Sequence, residues 1–173
     1  MENVIHTQNL TKIYAGNVRA LDSLSLDVQQ GEIFGYLGPN GAGKTTTIRL
    51  LLDLIRPTEG QASVLGMDAR RDSIAIKQRI GYLPAELNLW DKQTARQIIH
   101  FVGSARGGYD EGYVRSLSER LEFDLSKKVR SYSTGNKRKL GLILALMNHP
   151  DLLILDEPSS GLDPLMQQTF YQL

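Results

Sequence analysis

A glycine-rich stretch that ends in lysine and threonine is the part of the sequence best suited to chemistry. Residues 38–45 read Gly-Pro-Asn-Gly-Ala-Gly-Lys-Thr. The apolar residues 33–37 before it are typical of a buried strand, and the residues after it have helical periodicity. A strand, a glycine-rich turn and a helix in this order predict a phosphate-binding loop, and therefore a bound nucleotide. The candidate contacts are Gly38, Pro39, Asn40, Gly41, Ala42, Gly43, Lys44, Thr45 and Thr46.

The residue types in this loop suit a nucleotide. Glycines admit backbone angles that a side chain would forbid, so several amides can close around phosphate oxygens. A helix beginning at Gly43 adds amides and the positive end of its dipole. Lys44 can reach the β- and γ-phosphates, and the Thr45 hydroxyl can bind Mg²⁺. The alternative, a glycine-rich turn with a surface lysine, is disfavoured by the full pattern.

Two carboxylates follow a short apolar run late in the sequence. Residues 152–155 are typical of a fully buried strand, and Asp156 and Glu157 come directly after them. In an open α/β sheet, ligands bind at the carboxyl ends of the strands. Asp156 is therefore a candidate Mg²⁺ ligand together with Thr45, and Glu157 a candidate base for an attacking water. The alternative is an acidic strand end that faces solvent.

Other candidate positions each carry two interpretations. Tyr14 could stack on a nucleobase or pack its ring on the core, and periodicity favours the core. Ser133 and Gly135 precede an apolar helix, either as an ordinary N-cap or as donors to an anion. A basic cluster could attract phosphate, but the balanced charge of the chain favours a solvated face. The cluster comprises Lys127, Lys128, Arg130, Lys137, Arg138 and Lys139.

Composition limits the classes of protein that fit. The chain has 173 residues, 41% of them hydrophobic, which predicts one globular domain over residues 1–173. Its net charge of +1 gives no argument for nucleic acid as a partner. It contains no cysteine, which excludes disulfides and thiolate metal sites. No signal peptide and no apolar stretch of spanning length are predicted, so any membrane role requires a partner.

The elements that position these residues alternate between strands and helices. Strands are predicted at residues 4–14, 24–28, 61–65 and 80–83, and helices at 46–54, 72–78, 94–105, 110–121 and 140–147. Thr94 is a candidate N-cap, and Phe101 is expected on the apolar side of its helix. The loop 85–92 carries Leu87, Leu89 and Trp90, which could face a partner protein or tuck beneath the loop.

The whole chain resembles the nucleotide-binding subunit of an ATP-binding cassette (ABC) transporter, especially of the bacterial export type. Residues 38–45 match the family's Walker A motif, and residues 152–157 match Walker B with its glutamate. Residues 132–136 lie where the family has its signature motif, and residues 160–163 match the D-loop. The resemblance implies an α/β fold: a P-loop NTPase (RecA-like) core, an N-terminal antiparallel β-subdomain and a helical insertion at about residues 91–148.

The resemblance also implies a mechanism. Two such domains would dimerise head to tail, with Ser133, Gly135 and Asp163 of one subunit facing the ATP held by the other. Tyr14 falls at the family's adenine-stacking position, which reverses the preference from periodicity. The loop 85–92 would dock a membrane-spanning partner, and the chain would lie on the cytoplasmic, inner face of the cell membrane. ATP and Mg²⁺ are the implied ligands, and nucleic acid is not expected.

Departures from the family pattern affect what we expect of this chain. Thr134 and Asn136 replace a glycine and a glutamine of the signature, and both keep a short polar character. Ala85 stands at the glutamine of the Q-loop, where a methyl group cannot bind a cation, although Glu86 is adjacent. The family's switch histidine, and a strand between the Walker A and Walker B strands, would lie beyond residue 173. We therefore expect a subunit truncated at its C-terminus.

The sequence thus predicts an ATPase subunit that powers export through a separate membrane partner. One alternative is a truncated module that binds nucleotide without efficient hydrolysis. Another is a soluble ABC ATPase without a transport role. The transported substrate and the choice between a homodimer and a heterodimer are left open.

Overall fold

The computed structural model describes residues 2–172, which divide into two compact units. The first unit ends at Gln78 and the second begins at Arg79. Among the described residues, no helix has both the length and the apolar character needed to cross a bilayer.

An antiparallel sheet of four strands forms most of the first unit. Its strands are β1 (Asn3–Tyr14), β2 (Val18–Gln29), β3 (Glu59–Val64) and β4 (Met67–Asp68), and their spatial order is β2-β1-β3-β4. The predicted strands at residues 4–14, 24–28 and 61–65 are confirmed, although β2 begins six residues earlier than its alternation indicated. A hairpin joins β1 to β2, and Gly16 takes a positive φ of 75° in its turn.

Two helices complete the first unit. The first helix, α1 (Lys44–Leu51), directly follows the glycine-rich loop and ends three residues earlier than predicted. Leu50 of α1 packs with Leu10 of β1 and Leu21 of β2, and these three buried side chains anchor the helix to the sheet. The second helix, α2 (Ser73–Arg79), lies where the sequence predicted a short helix.

The apolar residues before the glycine-rich loop do not form the predicted buried strand. Within the described part of the chain, neither sheet pairs with residues 33–37. Ile33 is 102% exposed and Leu37 is 91% exposed. An apolar run indicates only that a segment could be buried, and a strand forms when a neighbour accepts its backbone hydrogen bonds. The prediction of a buried strand here was therefore wrong.

Among the described residues, a parallel strand pair, four α-helices and a short 3-10 helix (Val129–Ser131) make up the second unit. The strands are β5 (Ile80–Leu83) and β6 (Leu152–Leu155), paired in register from Ile80 with Leu152 to Leu83 with Leu155. Parallel strands require a long crossover. Here the crossover contains α3 (Ala95–Ala105), α4 (Glu111–Arg120) and α5 (Thr134–Leu146), and α6 (Pro164–Tyr171) follows β6.

Helices α3, α4 and α5 begin at polar N-caps, whose side chains satisfy first-turn amides. Thr94 caps α3 in a reciprocal capping box with Gln97, as its predicted N-cap role required. The Asp110 carboxylate accepts from the Tyr113 amide at the start of α4. One core joins these helices, with fully buried side chains that include Leu83, Ile98, Ile99, Leu117, Leu121, Leu140, Leu142, Ile143 and Met147.

Phe101 and Leu153 lie differently from their predicted places, and the loop 85–92, whose placement the sequence left open, divides between core and solvent. Phe101 is 60% exposed and makes an edge contact with Trp90, whose ring centroid is 5.1 Å away. Leu153 of β6 is 36% exposed, so the prediction of a fully buried strand holds only in part. In the loop 85–92, Leu87 and Leu89 pack against the core while Trp90 stays 54% exposed. Leu87 and Leu89 therefore tuck beneath the loop, whereas a partner-facing role for Trp90 stays a prediction.

Close packing fixes α5 against β5. A Cβ atom at Gly81 would collide with the Ala145 carbonyl oxygen of α5. On the facing side, a Cβ atom at Gly141 would lie 2.6 Å from Leu83 Cδ1 and 2.7 Å from Leu87 Cδ1. Glycine at both positions lets the helix and the strand approach closely. This contact sets the position of the start of α5, where the predicted signature residues lie.

Candidate functional site

The glycine-rich loop joins residues 33–37 to the N-terminus of α1. Gly41 and Gly43 have positive φ angles of 83° and 85°, which glycine adopts without the cost of a side chain. A Cβ atom at Gly43 would lie 2.6 Å from the Ala20 carbonyl oxygen of β2. The loop therefore needs glycine at position 43 both for its backbone angle and for its contact with the sheet.

Lys44 lies at the start of α1 with its side chain folded over the loop. Its Nζ atom donates to the carbonyl oxygens of Gly38, at 2.6 Å, and of Pro39, at 2.8 Å. Gly43 is the N-cap of α1 and supplies no side-chain hydrogen bond to the first turn. The loop thus combines an ammonium group with the N-terminus of a helix, a pair of features that favours anions.

The threonines after Lys44 have different surroundings. Thr45 and Thr46 are half-buried at the first turn of α1, which is where the sequence predicted a Mg²⁺ ligand and a nucleotide contact. Thr47 is buried, and its hydroxyl donates to the Gly43 carbonyl at 3.0 Å and lies 3.2 Å from the Tyr36 hydroxyl. Thr47 therefore supports the loop from inside.

Tyr14 ends β1 with its ring 39% exposed. The Lys12 Nζ atom lies 5.2 Å from the ring centroid, within the range of a cation–π contact. The ring therefore does not take the core position that periodicity favoured. The stacking role that the resemblance implies for Tyr14 stays a prediction.

The predicted signature residues lie at the start of α5. Ser133 is the N-cap, and its hydroxyl accepts from the Asn136 amide at 3.3 Å. Tyr132 before it is buried, and its hydroxyl donates to the Asp124 carbonyl at 2.6 Å. Burial raises the pKa of Tyr132 to about 12, so this phenol stays neutral and keeps its hydrogen bond. The helix start is thereby held in place.

The predicted D-loop, residues 160–163, approaches this helix start closely at Gly161. A Cβ atom at Gly135 would lie 3.0 Å from the Gly161 carbonyl oxygen. A Cβ atom at Gly161 would lie 3.2 Å from the Thr134 methyl group. Thr134, the departure from the family's glycine, therefore fits because Gly161 has no side chain. Asp163 follows as an exposed residue just before α6.

Asp156 and Glu157 leave the carboxyl end of β6 with contrasting environments. Asp156 is 6% exposed, and its amide donates to the Leu83 carbonyl at 2.8 Å. Glu157 is exposed and has a positive φ of 51°, a conformation that costs on the order of 1 kcal/mol for a residue other than glycine. Carboxylate and hydroxyl oxygens are ligands that Mg²⁺ prefers, so Asp156 and Thr45 fit the ion chemically.

Arg138 does not lie on a solvated face, contrary to the interpretation of the basic cluster. It is 4% exposed in α5, and its guanidinium donates to backbone carbonyls on both segments that leave the parallel strands. Burial lowers the pKa of Arg138, and the charges of Asp156 and Glu157 oppose this effect. Sequence reasoning missed the residue, although its spacing from Leu142 and Ala145 places all three on one helix face.

The candidate site residues form two groups, one in each unit. The first unit holds Tyr14 and the glycine-rich loop with its lysine and threonines. The second unit brings the signature residues, the D-loop and the carboxylates together around the start of α5. Ala85, at the Q-loop position, lies at the carboxyl end of β5 in this second group, and Glu86 beside it is exposed.

Sequence comparisons agree with this arrangement. A family model described as "ABC transporter" matches residues 21–160. The chain is 39% identical, over 98% of its length, to the "Probable multidrug ABC transporter ATP-binding protein YbhF" of Escherichia coli, and spans 30% of that protein. It is 40% identical, over 95% of its length, to the "Bacitracin transport ATP-binding protein BcrA" of Bacillus licheniformis, and spans 54% of it. The chain thus covers about half or less of these relatives.

Solved structures have the same fold. An ATP-binding subunit of an ABC transporter superposes with a TM-score of 0.86 at 28% identity, covering 98% of this chain and 72% of its own. The dimeric bacterial ABC transporter cassette MJ0796 also gives a TM-score of 0.86, at 24% identity, covering 97% of this chain and 80% of its own. The fold is therefore that of a P-loop NTPase with an antiparallel β-subdomain. With the family match over most of its length, the chain belongs to the ABC transporter family.

Proposed function

We propose that this chain binds MgATP and hydrolyses it as the ATP-binding subunit of an ABC transporter, powering export through a separate membrane-spanning partner. The observation that carries the proposal is the glycine-rich loop, with Lys44 folded over it at the N-terminus of α1. The export direction is supported by relatives whose names refer to multidrug and bacitracin transport.

The first unit would hold the nucleotide. Loop amides and the α1 N-terminus would surround the phosphates, and Lys44 would exchange its two loop carbonyls for phosphate oxygens. Tyr14 would stack its exposed face on the adenine, with Lys12 already close to the ring. The exposed loop residues Pro39 and Asn40 leave this surface open to a ligand.

Hydrolysis would depend on the carboxylates after β6. Thr45 of the first unit and Asp156 of the second are the candidate Mg²⁺ ligands, and the ion would supply charge neutralisation for the phosphates. Glu157 would orient and deprotonate the attacking water, and its exposure leaves the carboxylate accessible to solvent. Lys44 would stabilise the negative charge that spreads over the γ-phosphoryl oxygens.

A second subunit and a membrane partner complete the proposal. Ser133 and Asp163 are exposed and Gly135 half-exposed, so they could meet an ATP held by a second cassette. The structurally similar cassette MJ0796 is dimeric, which supports this arrangement. The exposed pair of Trp90 and Phe101 offers the membrane partner an aromatic anchor, a role suited to large rigid side chains.

A second candidate function is nucleotide binding without efficient turnover. Two observations favour it: residues 33–37 are largely exposed and lie outside both sheets, and Ala85 cannot replace the side-chain oxygen of a glutamine. Both would weaken the closure of a catalytic site without removing the phosphate-binding loop.

Steady-state phosphate release with MgATP tests the proposal. The Glu157→Gln variant should release phosphate about 100-fold or more slowly, because it retains the size of the side chain but loses the base. Glu122→Gln is the matched control, since Glu122 is another exposed glutamate of the second unit with a positive φ, here 48°. Release that Glu157→Gln leaves unchanged would contradict hydrolysis at this site. Binding of ATP without release by the parent chain would select the second candidate.

A further inference from the structure

Arg138 makes a concentrated set of hydrogen bonds to the backbone. Its guanidinium has five N–H groups, and five carbonyl oxygens accept from its three nitrogens. The Nη1 atom donates to Pro84, at 2.5 Å, and to Ala85, at 3.2 Å. The other acceptors are the carbonyls of Asp156, Glu157 and Pro158.

These acceptors belong to the two segments that leave the carboxyl ends of the parallel strands. Pro84 and Ala85 follow β5, whereas Asp156, Glu157 and Pro158 follow β6. Arg138 itself belongs to α5, which begins at the predicted signature residues. One buried side chain therefore joins the signature helix, the Q-loop position and the carboxylate segment, all within the second unit.

The bonds to the segment after β6 involve a backbone conformation that needs support. Glu157 has a positive φ of 51°, which residues other than glycine adopt only where their surroundings hold them. Arg138 donates to the carbonyl of Glu157 and to those of both its neighbours, with the Asp156 bond at 2.6 Å. These three hydrogen bonds hold the backbone on either side of the Glu157 side chain, which itself stays exposed.

We propose that Arg138 is a positioning residue that fixes the backbone of Glu157 and ties it to the segment leaving β5. The proposal rests on the proposed function, in which Glu157 activates the attacking water. Only arginine supplies five donors in one rigid plane, so lysine at this position would keep the charge but lose most of the hydrogen bonds to the backbone. A displacement of the loop after β5 would be transmitted to Glu157 through this side chain, because both segments share one guanidinium.

Hydrogen exchange measured by mass spectrometry tests whether Arg138 holds these two backbone segments, and it does not require ATP turnover. In Arg138→Met, the amides of residues 85–88, 156–157 and 159–161 should exchange at least about tenfold faster than in the parent chain, because local opening becomes easier. Arg130→Met is the matched control, since Arg130 is an exposed arginine of the same unit. Exchange in these segments that matches the control would overturn the proposal. If Arg138→Met does not fold, Arg138→Lys takes its place, with the same expected segments and a smaller increase.

Kinetics separate positioning from a general loss of structure. With MgATP, Arg138→Lys should lower kcat by about 10- to 100-fold, as expected when a catalytic group is displaced by roughly an ångström. The dissociation constant for ATP measured without Mg²⁺, which leaves the candidate ligand Asp156 out of the comparison, should stay within about twofold of the parent value, because the phosphate-binding loop is in the other unit. Equal losses in binding and kcat, or an unchanged kcat, would overturn positioning. A parent chain that shows no turnover would count against the proposed function, while the exchange result would still decide the role of Arg138.

Discussion

At the scale of single residues, the candidate site depends on backbone conformations as much as on functional groups. Gly43 has a φ of 85° and stands next to the Ala20 carbonyl, so a side chain there would be strained and would also clash. Glu157 has a positive φ of 51° in spite of its side chain. The proposed nucleotide contacts and the proposed base are thus both placed by backbone geometry that the surrounding residues enforce.

Gly43→Ala should destabilise the first unit and weaken ATP binding, because the new methyl group would lie 2.6 Å from the Ala20 carbonyl oxygen. Gly31→Ala is the control, since Gly31 has a similar φ of 78° but no atom within 4 Å of its Cβ position. Urea unfolding should show an extra loss of about 1–3 kcal/mol for Gly43→Ala over the control. Equal losses of unfolding free energy in the two variants would mean that backbone strain alone, without the contact to β2, explains why position 43 requires glycine.

The same scale shows where reasoning from sequence was sufficient and where it was not. Thr94 was predicted as an N-cap, and the structure confirms this role and adds a capping box with Gln97. Arg138 was assigned to a solvated cluster because the balanced charge of the chain gave no support to a phosphate-binding role. The composition of a charged cluster does not tell which face of a helix each side chain takes. The five backbone carbonyls that accept hydrogen bonds from Arg138 are distant in sequence, so a local pattern could not predict them.

At the scale of elements, α5 organises the second unit. Its start holds Ser133 and Gly135, its first turns carry Arg138, and its later turns pack on β5. The close contact at Gly81 and Gly141 sets the distance between α5 and β5. Any shift of α5 would therefore move the proposed signature residues and the proposed positioning residue together.

Gly81→Ala should disrupt this contact, because the added methyl group would collide with the Ala145 carbonyl oxygen. Urea unfolding should show a loss of about 1–3 kcal/mol, the usual cost of overpacking. Gly35→Ala serves as the control, since nothing lies within 4 Å of its Cβ position and its φ is not positive. A Gly81→Ala variant as stable as this control would refute the close packing of α5 on β5.

Elements with local signals were the easiest to predict. Pro84 marks the end of β5 in the sequence. Gly107 and Gly108, followed by Asp110, mark the start of α4. Residues 33–37 had the composition of a buried strand but are largely exposed and lie outside both sheets. Pairing depends on a neighbour distant in sequence, and composition does not report whether that neighbour is available.

At the scale of the whole molecule, the fold and the family agree while the chain covers only part of its relatives. It spans 30% of one curated relative and 54% of another. The phosphate-binding loop and Tyr14 lie in the first unit, whereas the proposed base, the candidate Mg²⁺ ligand Asp156 and the predicted signature residues lie in the second. Binding and hydrolysis can therefore be measured as separate properties, each with variants of its own.

A calorimetric titration of the chain with MgATP tests nucleotide binding at the glycine-rich loop most directly. The parent chain should bind, and Lys44→Ala should raise the dissociation constant by about 10- to 100-fold through loss of a charged hydrogen-bond donor. Lys77→Ala, on α2 of the same unit, should bind as the parent does. Unchanged affinity in Lys44→Ala would contradict nucleotide binding at this loop.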